Sequence, residues 1–197
     1  MFKRYMILAM LTFVFVFAAF TLRVAMEQRS LAACLIRLHV VAASDEPTDQ
    51  SRKLRVRDAL LPRIAALTAD CSDADAAATA LRAGLPQLQQ SAFETLGTGE
   101  PVTVSLQEEP FPRRDYDSFS LPAGRYRALR VVLGAGQGHN WWCVAFPGLC
   151  LPAEPEEAFC ERAAEAGLRE SEIALVSRDT AEVHIKFRLL DWLSELF

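Results

Sequence analysis

Hydrophobic positions change their period several times along the chain, and each change marks an element. Tyr5 to Leu22 is an uninterrupted run of 18 uncharged residues preceded by Lys3 and Arg4. As a helix it spans about 27 Å, close to the roughly 30 Å of a bilayer's hydrocarbon layer. It is apolar on every face, which a core helix of so small a protein does not need. A basic start followed by such a run predicts an export signal or a membrane anchor. Ala18, Ala19 and Ala25 leave both a cleaved signal, most readily after Val16-Phe17-Ala18, and a retained anchor open. Leu31-Ala32-Ala33-Cys34 spells a lipoprotein box, but Arg23, Glu27 and Arg29 separate it from the apolar run, so Cys34 is expected to open a strand instead.

Cys34 to Val41 has strand length and apolar content. Ser44-Asp45-Glu46-Pro47 reads as a helix start, with capping side chains ahead of a first-turn proline. That helix continues through Leu54, Leu61 and Ile64, and Pro62 is expected to kink or break it. Ser72-Asp73 begins a second, alanine-rich helix. Gly84 and Pro86 are expected to interrupt it, Leu88, Ala92 and Leu96 to continue it, and Gly97 and Gly99 to end it. Val102, Val104 and Leu106 alternate with polar residues as in a strand. Glu109 to Pro122 reads as loop, Arg125 to Leu133 as a strand, and Trp141 to Phe146 as a short aromatic strand. Glu154 to Leu168 is a predicted helix, Val183, Ile185 and Phe187 a strand, and Leu189 to Phe197 a terminal helix. The pattern predicts an α+β fold: a single compact domain over 30–197, with a small, mostly antiparallel sheet and helices packed on one face. Residues 1–29 form the preceding signal or signal-anchor helix with a short linker.

The chain has 197 residues, 51% of them apolar and 23% charged, which suits one globular domain with its own core. Its net charge is −4 although the first 23 residues hold only cations, so the body is more acidic still. That argues against nucleic acid as a partner. Five cysteines are present, an odd number. In an exported domain Cys143 and Cys150 are the natural pair, closing a loop of eight residues and stabilising the fold by roughly 2.5 kcal/mol.

The densest chemistry lies in Gly134-Ala-Gly-Gln-Gly-His-Asn-Trp-Trp-Cys143. The glycines lead into a strand-like Trp-Trp-Cys-Val rather than a helix, so they fit a positive-φ turn and not a phosphate loop. Cys143 with Asn140 and one of His39, His139 or His184 could make a thiol nucleophile. His139, Cys143 and Cys150 could hold a metal, but the spacing is unlike a structural zinc site and a fourth ligand is missing. Asp115 and Asp117 read as solvated loop acids. No cofactor, metal or catalytic set is expected. The two tryptophans would point to opposite faces of a strand, so one can be buried while the other meets a partner. Gly136, Gly138, His139, Asn140, Trp141, Trp142 and Phe146 are the candidate partner-binding patch. Arg52, Lys53, Arg55 and Arg57 form a basic cluster on the first helix, expected to be a solvated face.

Three segments carry a resemblance. Ile36-Arg-Leu-His-Val-Val-Ala-Ala-Ser-Asp45 with Asp49-Gln50 and Lys53-Leu-Arg-Val-Arg-Asp58 resembles the N-terminal signature of the stage II sporulation protein R family. Leu121 to Gly134 and Gly136 to Cys150 resemble its second signature, and Val183 to Phe187 is similar to its C-terminal strand. Ala43 stands where the family usually has Asn, and Ala145 and Gly148 where Leu and a second Pro are common. The resemblance implies an exported signalling protein of endospore formation, not itself an enzyme. It implies passage across the forespore membrane into the space between forespore and mother cell. There the partner would be a membrane-embedded aspartic protease that processes the precursor of mother-cell sigma factor E. The competing readings are a membrane-tethered extracytoplasmic enzyme using Cys143 and a cell-wall-binding module.

Overall fold

The computed structural model describes residues 2–116, 119–148, 156–165, 168–176, 186, 188, 190 and 191. Helix α1 (Phe2–Cys34) is a single unbroken helix. Residues up to Leu22 are exposed on nearly every side, whereas Val24, Gln28, Leu31 and Ala32 are buried. The helix therefore crosses the expected boundary at residue 29 without a break, and its last third belongs to the domain. Cys34 ends this helix rather than opening a strand, because Leu31 and Leu35 are drawn into the core. The apolar part is long enough to cross a membrane.

Strand β1 (Ile36–Val41) is buried along its whole length. Then follow α2 (Pro47–Thr68) and α3 (Ala74–Leu96), β2 (Val102–Phe111), the two-residue strands β3 (Arg114–Asp115) and β4 (Ser120–Leu121), β5 (Gly124–Leu133) and β6 (Asn140–Phe146). Helices α4 (Glu156–Glu165) and α5 (Glu170–Val176) complete the described elements. The main sheet has the order β2-β5-β1-β6. Its central pair, β1 with β5, is parallel, and the two flanking pairs are antiparallel. The fold is α+β with a mixed sheet.

Alternation along β1 divides the interior into two layers. Ile36, Leu38 and Val40 meet Val56, Leu60 and Ile64 of α2 and Leu81 and Leu88 of α3. On the opposite face, Tyr126, Ala128 and Val144 meet Leu31 and Leu35 at the end of α1, with Ala163 and Val176 beyond. The two long helices thus cover one face as expected, and the foot of α1 seals the other.

Several sequence signals are overridden by packing. Neither Pro62 nor Pro86 breaks its helix. Both lie on exposed faces, where water serves the carbonyl that proline leaves unpaired. Gly84 does not interrupt α3 either; an added Cβ there would stand 2.6 Å from Leu67 Cδ1, so it marks the close approach of α2 and α3. The signals at the ends of α3 hold. Asp73 caps the N-terminus by accepting from the N–H groups of Asp75 and Ala76, and Gly97 closes the C-terminus in the left-handed region. Part of the expected loop after Glu109 is strand: β2 runs to Phe111, and β3 pairs with β4. Pro110 is tolerated because β2 is an edge strand. Of the expected C-terminal elements, Leu190 and Asp191 are helical. Lys186 is helical too, where the alternation predicts strand; Val183, Ile185 and Phe187 lie outside the described residues.

Candidate functional site

Topology explains where the glycine-rich loop must go. Strands β5 and β6 flank β1 on either side, so the chain joining them passes over the carboxyl end of β1. It straddles the segment Ala42–Asp45 that leaves β1 for α2. Two backbone bonds tie the crossing: Gln137 N–H donates to Ala43 O at 3.1 Å and Gly138 N–H to Ala42 O at 3.0 Å. Gly138 has no room for a side chain, since a Cβ would stand 2.2 Å from Ser44 O. Gly134 and Gly136 adopt φ of 54° and 63°, the positive-φ turn expected.

Polar side chains complete this corner. Asp45 accepts from the His139 backbone N–H at 2.6 Å and pairs with its ring Nδ1. Lys53 Nζ donates to His139 O at 3.0 Å and to Gln50 Oε1 at 2.6 Å. Gln50 Nε2 donates in turn to Ser44 O at 2.9 Å, and Ser44 Oγ donates to Asp49 at 2.7 Å. The hydrogen bonds from His139 hold the Asp45 carboxyl below its ordinary range, and that from Ser44 does the same for Asp49. Burial lowers Lys53, with Arg57 adding like-charge repulsion.

These contacts revise two expectations. Ser44 and Asp45 do not cap α2; its N-cap is Glu46, with no side-chain cap bond, and Pro47 occupies the first turn. The side chains that could cap are engaged by the loop and by Asp49. Lys53 is not on a solvated face but only 6% exposed. Its position was legible: Lys53 precedes Val56, Leu60 and Ile64 on one helical stripe, all buried.

The predicted patch divides. His139 presents its ring to solvent, 80% exposed, and Asn140 is exposed beside it. Trp141 is half-buried on the α2 face, with the Arg57 guanidinium 4.9 Å over its ring. Trp142 is half-buried on the opposite face, stacked on His39 at 4.0 Å and edge-on to Phe111 at 4.8 Å. The tryptophans do point to opposite faces. Phe146 is a core residue, 5% exposed, and offers no surface to a partner.

Cys143 is disulfide-bonded, while Cys34 and Cys71 are free thiols. Cys150, His184 and Asp117 lie outside the described residues. Cys143 faces the α2 layer and His39 the other, and His139 turns to Asp45. Cys143, His39 and His139 are therefore not brought together with one another. Asp115 accepts from Arg113 and from Ser120 within the β3–β4 hairpin.

Fold and site together define an α+β domain carried on an apolar N-terminal helix, with a polar corner built from two distant segments. The chain belongs to the Stage II sporulation protein R family, whose pattern matches residues 32–155. It is 32% identical over 181 residues to Stage II sporulation protein R of Bacillus subtilis (strain 168), covering 82% of this chain and 81% of the relative. No solved structure matches. The family is one of sporulation proteins, and its name is not that of an enzyme.

Proposed function

We propose that this chain is an exported signal of endospore formation that triggers a membrane-embedded aspartic protease to process the precursor of mother-cell sigma factor E. The corner supports this reading. It joins two of the segments that carry the family resemblance into one fixed surface, with His139 and Asn140 presented to solvent and Trp141 beside them. A surface held by backbone bonds loses little freedom on binding, which favours recognition. Activation then requires tighter binding to the protease's active state than to its resting state. Pairing of Cys143 with Cys150 in the oxidising space outside the membrane would brace strand β6 behind that surface.

Reconstitution in a non-sporulating host tests the reading. The chain is expressed with the protease and the sigma-factor precursor, and cleavage is followed on a gel. Cleavage is expected only when the chain is present and exported. His139→Ala, Asn140→Ala and Trp141→Ala are expected to reduce it while the domain still melts cooperatively. Absence of cleavage with a protease shown competent by another activator would remove the signalling role.

A further inference from the structure

Arg37 lies in the middle of β1, fully buried at 0% exposure, on the face opposite α2. Among the described residues its side chain makes one hydrogen bond, from Nη2 to the Tyr116 hydroxyl at 2.8 Å. Nε and Nη1 meet no acceptor among them. Aromatic rings wall the guanidinium, with Phe111 4.2 Å and Tyr126 5.2 Å from its Cζ. No carboxylate among the described residues pairs with it. Glu109, on the same sheet face, is taken by His39 and Arg130. The charged neighbour that acts on Arg37 is Arg114, also a cation, which lies over Trp142 at 5.3 Å.

A buried cation with two unserved donors is costly, and replacing it with an apolar side chain is commonly neutral or stabilising. A methionine could fill the same slot between aromatic rings. Planar donors between flat rings match a carboxylate, which takes two parallel bonds from one guanidinium. Tyr116 is half-buried, and Arg114, two residues before it, is exposed.

We propose that Arg37 is a receptor for a carboxylate side chain of a protein partner, with the Tyr116 hydroxyl holding the place until that carboxylate displaces it. The positive charge of Arg114 draws the acid to the entrance, and the aromatic walls desolvate the pair that forms.

Two measurements on the full chain test this. In the first, arginine Nε–H resonances are followed by NMR while N-acetyl-glutamate α-methylamide, N-acetyl-glutamine α-methylamide or inorganic phosphate is added. The Arg37 resonance, assigned by its loss in Arg37→Met, is expected to shift saturably with the glutamate derivative alone. Tyr116→Phe, which removes the displaced hydrogen bond, is expected to tighten that response roughly tenfold. An equal response to the glutamine derivative or to phosphate, or none in either protein, overturns the proposal. The second rests on the signalling reading. Arg37→Met should melt no lower than the parent chain yet fail to trigger cleavage, and Tyr116→Phe should trigger at lower expression. Undiminished signalling by Arg37→Met overturns the receptor role. Failure of the parent chain itself removes the signalling reading and leaves the NMR result standing.

Discussion

At the scale of single residues, side chains that look conventional in sequence take unexpected partners. Ser44 and Asp45 carry the signature of a helix cap, and local rules read it so. They are recruited instead by a loop nearly a hundred positions away, and no local pattern encodes such a contact. Lys53 was readable through its stripe, and the positive φ at Gly134 and Gly136 through composition. His39 illustrates a consequence with a pH signature. Burial depresses its pKa below the ordinary 6.5, against the opposing pull of Glu109. The unfolded chain therefore binds more protons than the folded one as pH falls through that ordinary value. Stability is fully present above it and is lost on acidification toward the folded pKa. Thermal melts at about pH 7.5 and about pH 5.5 should show the loss, and His39→Phe, which keeps a ring against Trp142, should make the melts less sensitive to pH.

At the scale of elements, boundaries set by capping residues were legible and interruptions were not. Asp73 and Gly97 end α3 where their chemistry says they should. Pro62 and Pro86 fail to break their helices because tertiary contacts hold the turns on either side: Leu60 and Ile64 around the first, Gly84 and Leu88 around the second. A proline kept inside a helix still costs a hydrogen bond and strains the preceding turn. Pro62→Ala and Pro86→Ala are each expected to raise stability by about 1–2 kcal/mol, net of the freedom regained by the unfolded chain. Denaturant midpoints measure this directly. The short β3–β4 pairing is not legible in the sequence, because two-residue strands leave no alternation to detect.

At the scale of the whole molecule, the class of fold was legible because strands and helices change period cleanly. The parallel pairing of β1 with β5 was not, since strand order depends on contacts between segments far apart in the chain. The extent of the domain was also set by packing. An apolar run announces itself, but nothing local says that the same helix continues as part of the core. Val24 is 0% exposed, as is Leu31 one face-repeat later. A chain that starts at Ser30 loses Val24 and Gln28 from that interface and should be about 2 kcal/mol less stable than one that starts at Ala19. Urea unfolding of the two proteins decides it.

The unbroken passage of α1 from apolar run to core makes the domain a flag on a mast rather than a ball on a string. No glycine or proline interrupts the helix between Phe2 and Cys34. With the helix retained in a bilayer, α1 ends about 18 Å beyond Leu22, just before β1. Tilt and spin of the helix then become tilt and spin of the sheet. A partner in a facing membrane would meet this surface at a set height and heading, reducing a three-dimensional search to one in a plane. Proteolysis after Ala18 would cut the mast below the flag and leave the domain intact, whereas proteolysis after Ala25 would saw through the joint.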